Sequence, residues 1–317
     1  MPYPPSGAAR WPAGRHLTWL VPALTLAYFF LSHWLLGFHA EQVVLVVLVN
    51  GCYFLSGFTR RLITGFSIFL VYWVLYDYLK IIPNYLVRAV DIASLYHAEK
   101  SLFGIHSQGL LLTPNEYWLL HKHTWLDVAC GIFYLCWVPV PLVFAGYLFF
   151  TNRRLFFEFS LTFLIVNLLG FTLYYLHPAA PPWYVQQHGF AFQPLKLGST
   201  AGLARFDAYF GVGLFQSIYA KNSNVFAAMP SLHSAYPVVV LYYAVKNRSG
   251  WLNLFFLSVM LGIWFAAVYN SHHYVLDVLA GITTALTGIF ILQLLLARSL
   301  VFKRFVAAFM RATDPAA

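Results

Sequence analysis

Three short polar strings in an otherwise apolar chain hold the residues able to do chemistry. One is Tyr269-Asn270-Ser271-His272-His273-Tyr274-Val275-Leu276-Asp277, with His273 and Asp277 four apart. On a helix those two share a face. Asp277 can accept from one ring nitrogen of His273 and leave the other as a base or nucleophile. An aspartate inside an apolar span is costly and needs such a partner. His272, five positions from Asp277, fits that geometry less well. A second string, Ala228-Met229-Pro230-Ser231-Leu232-His233-Ser234, opens an apolar run. Pro230 suits a helix start, where its missing N–H costs nothing. The N–H groups of such a first turn accept phosphate, which makes Ser231 a candidate phosphate contact. His233 stands where it can pass a proton to that anion. The third string runs from His177 to Tyr184, with Pro178, Pro181 and Pro182 stopping and stiffening a helix exit. Trp183 and Tyr184 suit the headgroup level of a bilayer, and are candidate substrate contacts there.

Each string also has a structural reading: an interfacial anchor, a satisfied histidine, a His–Asp pair bracing a helix junction. Together they supply an anion cradle, a proton donor and an oriented nucleophile. His233, His273 and Asp277 include zinc-ligand types. A His paired to Asp beside a helix N-terminus nevertheless serves phosphoryl transfer without metal, so no metal and no cofactor is expected.

The elements that carry these strings are membrane helices. Hydrophobic residues make up 61% of the 317 residues and charged residues 9%, with a mean hydropathy of +0.69. A soluble domain carries roughly 25% charged residues, so too little charge remains to cover a water-facing surface. Apolar runs of about 20 residues recur along the chain. Their continuity excludes a β-barrel, which needs alternation. The expected fold is all-α and polytopic, with about eight spans at 17–38, 43–58, 62–79, 128–150, 157–176, 232–245, 251–269 and 274–297. Residues 1–60 are expected to hold a tail and two of these spans, 61–297 the other six with long loops, and 298–317 a basic tail. The first apolar run is too long for a signal peptide. Cys52, Cys130 and Cys136 lie in apolar runs and read as small buried hydrophobes.

The net charge of +9 does not point to nucleic acid, because basic residues flank the apolar runs in pairs. Of the 19 Lys and Arg residues, 12 fall on the side of the two termini and the Arg60–Arg61, Arg153–Arg154 and Lys246–Arg248 turns. That side is expected to be cytoplasmic. The long connections 80–127 and 177–230, and all three polar strings, then lie at the extracytoplasmic or luminal face. A stretch such as Glu116–Trp125 suits the interface. Asp77 and Glu158 sit in or near spans, and Glu158 is expected to pair with Arg153 or Arg154. No nucleotide-binding glycine motif is present.

Pro230-Ser231-Leu232-His233 and His273-x3-Asp277 resemble the second and third signatures of the type 2 phosphatidic acid phosphatase (PAP2) superfamily. The longer strings Ala180-Pro181-Pro182-Trp183-Tyr184, Met229-Pro230-Ser231-Leu232-His233-Ser234 and His272-His273-Tyr274-x2-Asp277-x3-Gly281 are most similar to its inositol phosphorylceramide synthase branch, to which sphingomyelin synthases are related. The resemblance covers roughly 126–295 and implies a six-helix catalytic core without metal. It implies His273 as the nucleophile, Asp277 as its orienting partner, and His233 as proton donor and later base. Two departures stand out. The lysine and arginine of the hydrolases' first signature are replaced at Ala179-Ala180-Pro181-Pro182. Their Ser-Arg pair before the catalytic histidine is replaced by Ala266 and Ala267. A phosphomonoester dianion needs neutralising charge, and a phosphodiester, with one negative charge, needs less. The expected reaction is therefore transfer of a headgroup-phosphate between membrane lipids, with Arg205, Lys221 or Lys196 as sources of a cation. The alternatives are a lipid phosphate phosphatase and a non-enzymatic lipid transporter, for which Pro22, Pro139 and Pro141 would kink the spans.

Overall fold

The computed structural model describes residues 16–194, 198–220 and 224–314. The apolar runs form helices, since backbone groups in lipid must bond within their own segment. In chain order these are α1 (His16–Leu36), α2 (Ala40–Leu55), α3 (Gly57–Tyr78) and α4 (Ala93–Phe103). A short hairpin of β1 (Ile105–Ser107) and β2 (Leu110–Leu112) follows, antiparallel with His106 opposite Leu111. Then come α5 (Pro114–Leu120), α6 (Thr124–Leu135), α7 (Pro139–Thr151), α8 (Arg153–Leu176), α9 (Pro182–His188), α10 (Ala204–Phe210) and α11 (Leu214–Tyr219). The last four are α12 (Leu232–Lys246), α13 (Leu252–Tyr269), α14 (Val275–Arg298) and α15 (Leu300–Ala312).

Among the described residues, five helices are long and apolar enough to cross a membrane: α1 from Thr18, α3, α8, α13 and α14. The protein is thus an all-α, multi-pass membrane protein. The expected single span at 128–150 is instead two helices, α6 and α7, bent by 40° at their break. Counted as one, they bring the number to six. The cause is local: Pro139 and Pro141 open α7 and withhold two N–H donors from the preceding turn. At 16 and 15 residues, α2 and α12 fall short of the usual spanning length. The stretch expected along the interface, Glu116–Trp125, splits between α5 and the first turn of α6.

The chain divides into two compact units, residues 1–81 with 293–317, and residues 82–292. In the first, Ser32 Oγ and Tyr78 OH hydrogen-bond at 2.8 Å, linking α1 to α3. Asn50 Nδ2 donates to Thr25 Oγ1 at 2.8 Å, linking α2 to α1. Asp77 pairs with Lys80 at 2.6 Å. In the second, Glu158 is buried on α8 and takes Arg154 at 3.0 Å and Lys246 at 2.6 Å, a stabilising role with a partner on α12 besides the one expected. Tyr236 OH donates to Asn167 Oδ1 at 2.6 Å, so α8 and α12 also meet through a buried polar pair.

Candidate active site

The site lies in the second unit, where the heads of α12 and α14 dock. The α12 helix starts at Leu232 with Ser231 as its N-cap, so Pro230 stands before the cap and not in the first turn. The buried Ser231 hydroxyl accepts from Ser234 N–H at 3.3 Å and from Ser234 Oγ at 3.0 Å. Ser231 N–H donates to the Asp277 carbonyl at 3.0 Å, which seats α12 on the first turn of α14. Gly281 permits this approach: a Cβ there would stand 2.2 Å from the Ser231 carbonyl oxygen. Since a backbone oxygen cannot swing aside, Gly281→Ala is expected to cost about 1–3 kcal/mol. Thermal unfolding in detergent checks this, and an unchanged midpoint overturns it.

On this platform the two imidazoles meet. His233 Nδ1 and His273 Nε2 are 3.2 Å apart. His273 Nδ1 is 3.0 Å from the Ala228 carbonyl oxygen and 3.6 Å from Asp277 Oδ2. The expected orienting bond to Asp277 is therefore corrected. At 3.6 Å the carboxyl is a charge neighbour and not a hydrogen-bond partner, and its Oδ2 accepts Tyr274 N–H at 2.8 Å. A carbonyl only accepts, so Nδ1 of neutral His273 carries the proton and Nε2 the lone pair. His233 Nδ1–H then donates to Nε2. Burial holds the His273 imidazole down at about 4, against the opposing pull of the Ala228 bond. The ring is accordingly neutral near pH 7 with its lone pair available.

His272, given little weight from its spacing, is part of the same cluster. Its ring stacks on Tyr134 and Tyr219, with centroids 5.4 and 4.7 Å away. Its Nε2 donates to the Thr200 carbonyl at 3.1 Å. Burial, with His273 and His233 nearby, keeps it well below the usual imidazole range. Trp137, at the α6–α7 break, meets the His233 ring edge-to-face, with centroids 4.5 Å apart. Pro237, one turn into α12, returns no N–H to the His233 carbonyl.

His233, His272 and His273 line a cavity of about 400 Å³ including its open mouth. Tyr134, Trp183, Ser199, Tyr219 and Asn224 complete much of its wall. Trp183 and Tyr184 are buried in a cluster with Ile92, Ala180, Val225 and Phe226. Tyr184 does not line the cavity: its hydroxyl donates to the Ala191 carbonyl at 2.8 Å and accepts Gln193 N–H at 2.7 Å. Ser231 is spent on capping. Arg205 does not line the cavity either. Its Nε meets Asp127 Oδ1 at 2.5 Å and its guanidinium lies over the Tyr269 ring at 5.1 Å. Lys221 and Lys196 lie outside the described residues. The described cavity wall therefore holds neither lysine nor arginine.

The first long connection supplies residues that the sequence reading passed over. Asn115 Nδ2 donates to the carbonyls of Val268 and His273 at 2.8 and 2.9 Å. Asn84 Nδ2 donates to those of Tyr174 and Phe226 at 2.9 and 2.8 Å. Glu99 accepts from Val275 N–H at 2.9 Å and Leu276 N–H at 3.1 Å. The two long connections are also stitched together by backbone bridges between Asp91 and Ala179 and between Ala179 and Ala227. Glu99 had one usable signal: four residues after Leu95, it falls on the buried face of α4.

A helical membrane core with paired imidazoles at the head of one span and the junction before another defines the class, and residues 94–291 match the PAP2 superfamily. The chain belongs to that superfamily and lies with its inositol phosphorylceramide synthase branch. It is similar to a phosphoinositol dihydroceramide synthase of Bacteroides thetaiotaomicron, 48% identical over 257 residues, which cover 80% of this chain and 84% of that protein. An inositol phosphorylceramide synthase of Candida albicans is 29% identical over 212 residues, 65% of this chain and 43% of that protein. The catalytic subunit of the Saccharomyces cerevisiae synthase is 32% identical over 118 residues, 37% of this chain and 29% of that protein. No solved structure matches the chain significantly.

Proposed function

We propose that the protein transfers an inositol-phosphate headgroup from a phospholipid donor to the hydroxyl of a ceramide-type acceptor, through a phosphohistidine on His273. The observation that carries this reading is the 3.2 Å meeting of His233 Nδ1 with the lone-pair nitrogen of His273 inside one cavity. In the first step the Nε2 lone pair forms the N–P bond. The P–O bond to the donor's glycerol oxygen breaks, and that oxygen takes its electron pair and the Nδ1 proton of His233, which enters the step as imidazolium and leaves it as neutral imidazole. In the second step the acceptor hydroxyl gives its proton to His233, its oxygen bonds phosphorus, and the N–P pair returns to Nε2. Asp277 balances the charge that develops on the His273 ring, while the Ala228 carbonyl holds the ring's tautomer and direction. The N–H groups of Leu232 and His233, at the head of α12, face the phosphoryl oxygens.

Ala266 and Ala267, standing where the hydrolases carry a Ser-Arg pair, leave less neutralising charge, which favours a phosphodiester monoanion over a phosphomonoester dianion, and thus transfer over hydrolysis. Both substrates are amphiphiles drawn from the bilayer. We place the site at the extracytoplasmic or luminal face and both termini in the cytoplasm. All eight apolar segments cross the membrane in this reading, with α2 and α12 as short spans, and the last six form the core. The test is reconstitution in liposomes holding phosphatidylinositol and ceramide. The expected products are inositol-phosphoryl ceramide and diacylglycerol in equal amounts. Release of inositol phosphate or inorganic phosphate, indifferent to ceramide, would overturn the transferase reading.

A further inference from the structure

The backbone around His273 is held by side chains from a distant part of the chain. Asn115, on α5, takes the His273 carbonyl. Asp277 takes the N–H of Tyr274. The next two N–H groups, of Val275 and Leu276, both go to the carboxyl of Glu99 on α4, one to each oxygen. These are the first-turn donors of a 24-residue helix, which no backbone carbonyl of that helix can satisfy. Glu99 is fully buried and 176 residues away from Val275 in sequence. An acid removed from water at that cost needs a reason beyond solubility. Its helix is tied in turn to α5, since Tyr96 OH donates to Glu116 Oε1 at 2.8 Å and Lys100 Nζ to Tyr96 OH at 2.9 Å.

We infer that Glu99 is a positioning residue for the phosphoryl-transfer site, holding the head of α14 so that His273 Nε2 faces His233, and that its ionisation gates transfer. This rests on the function proposed above. As a carboxylate Glu99 offers an acceptor to each N–H. Once protonated it carries a donor of its own and holds the helix head less firmly. Its surroundings make the change accessible near neutrality: burial lifts the Glu99 carboxyl to about 7, against the pull of the two N–H bonds, with Asp277 adding to the rise. The other ionisable groups close by are His273 and Tyr274 at the junction, Glu116 on α5, Tyr96 and Lys100 on α4, and His177 beside Asp277. His273 itself titrates near 4, so the two events are separated. The signs for activity and stability oppose each other. Transfer rises with pH through about 7 as the carboxylate forms. Stability falls between the ordinary carboxyl range and about 7, because the folded state holds the proton more tightly than the unfolded chain.

The experiment measures transfer and thermal unfolding from pH 5 to 9 for the wild type, Glu99→Gln and Glu99→Asp. The expected result is an acid limb near pH 7 in the wild type and its loss in Glu99→Gln, whose kcat at pH 8 matches the protonated wild type at a near-constant KM. Glu99→Gln should unfold at or above the wild-type temperature at pH 8. Glu99→Asp, too short to reach both N–H groups, should keep a limb at a reduced plateau. A wild-type limb that survives in Glu99→Gln, or a variant that loses activity only in proportion to lost stability, overturns the inference. If the wild type transfers no headgroup at any pH while folded, the proposed function fails instead.

Discussion

Replacing His273 with Ala is expected to abolish headgroup transfer, a loss beyond the roughly 10²–10⁴-fold that a positioned acid or base contributes. The reason is that Nε2 is the one ring nitrogen of the pair with a lone pair directed at its partner, its opposite nitrogen being committed to the Ala228 carbonyl. In the proposed mechanism His233→Ala removes the proton donor but leaves the nucleophile in place, so it should slow transfer by roughly 10²–10⁴-fold without preventing slow formation of the covalent intermediate. A donor labelled in its headgroup separates the two. Without acceptor, label should remain on the wild-type chain, accumulate slowly on His233→Ala, and be absent from His273→Ala. Label on His273→Ala, or undiminished transfer by it, refutes the double displacement.

The largest expected loss of stability comes from Asp127. Its carboxyl is 9% exposed and receives both Arg205 Nε and, at 2.8 Å, Tyr269 OH. Arg205 Nη2 is buried without a hydrogen-bond partner, so the guanidinium already depends on this one acid. Removing one member of a buried pair costs about 3–5 kcal/mol. Because the Arg205 side chain keeps 22% of its surface exposed, Asp127→Ala is expected near the lower end, about 3 kcal/mol. Adding Arg205→Met should recover most of that, since an uncompensated charge is then removed. Unfolding midpoints of the two single variants and the double variant test this directly. If Arg205→Met alone abolishes transfer at undiminished stability, Arg205 acts on phosphate and its bond to Asp127 is secondary.

The parts of the fold that follow from solvent preference were readable from the chain. Long apolar runs at α1, α3, α8, α13 and α14 can only be helices in lipid. The break between α6 and α7 was harder, because Cys136-Trp137-Val138 keeps the run apolar. The warning lay in Pro139 and Pro141, which read as kinks within one span. At the site, side chains that stand near side chains were legible: spacing put Asp277 beside His273, though 3.6 Å away and not hydrogen-bonded to it, and helix-head position brought in His233. Side chains that meet backbone were not. The Ala228 carbonyl that aims His273 has no identity in a sequence, and neither do the N–H groups held by Glu99 or the carbonyls held by Asn84 and Asn115. The same limit misdirected the readings of Ser231, Tyr184 and Arg205, each of which looked free for a ligand. In the structure each is occupied by a hydroxyl, a main-chain group or an acid.

The contact between His233 and His273 has a further implication for how the protein behaves while idle. In the structure the proposed nucleophilic nitrogen of His273 is already engaged, stoppered by the ring to which the proposed mechanism assigns protonation of the leaving alcohol. A stray water entering the cavity finds that nitrogen already taken by the His233 N–H. Only a molecule that brings phosphorus to one nitrogen and an oxygen to the other can part the two rings and replace what each gives up. In the proposed mechanism, admission to the nucleophile is thus a requirement on what can open the pair, set before any headgroup is recognised.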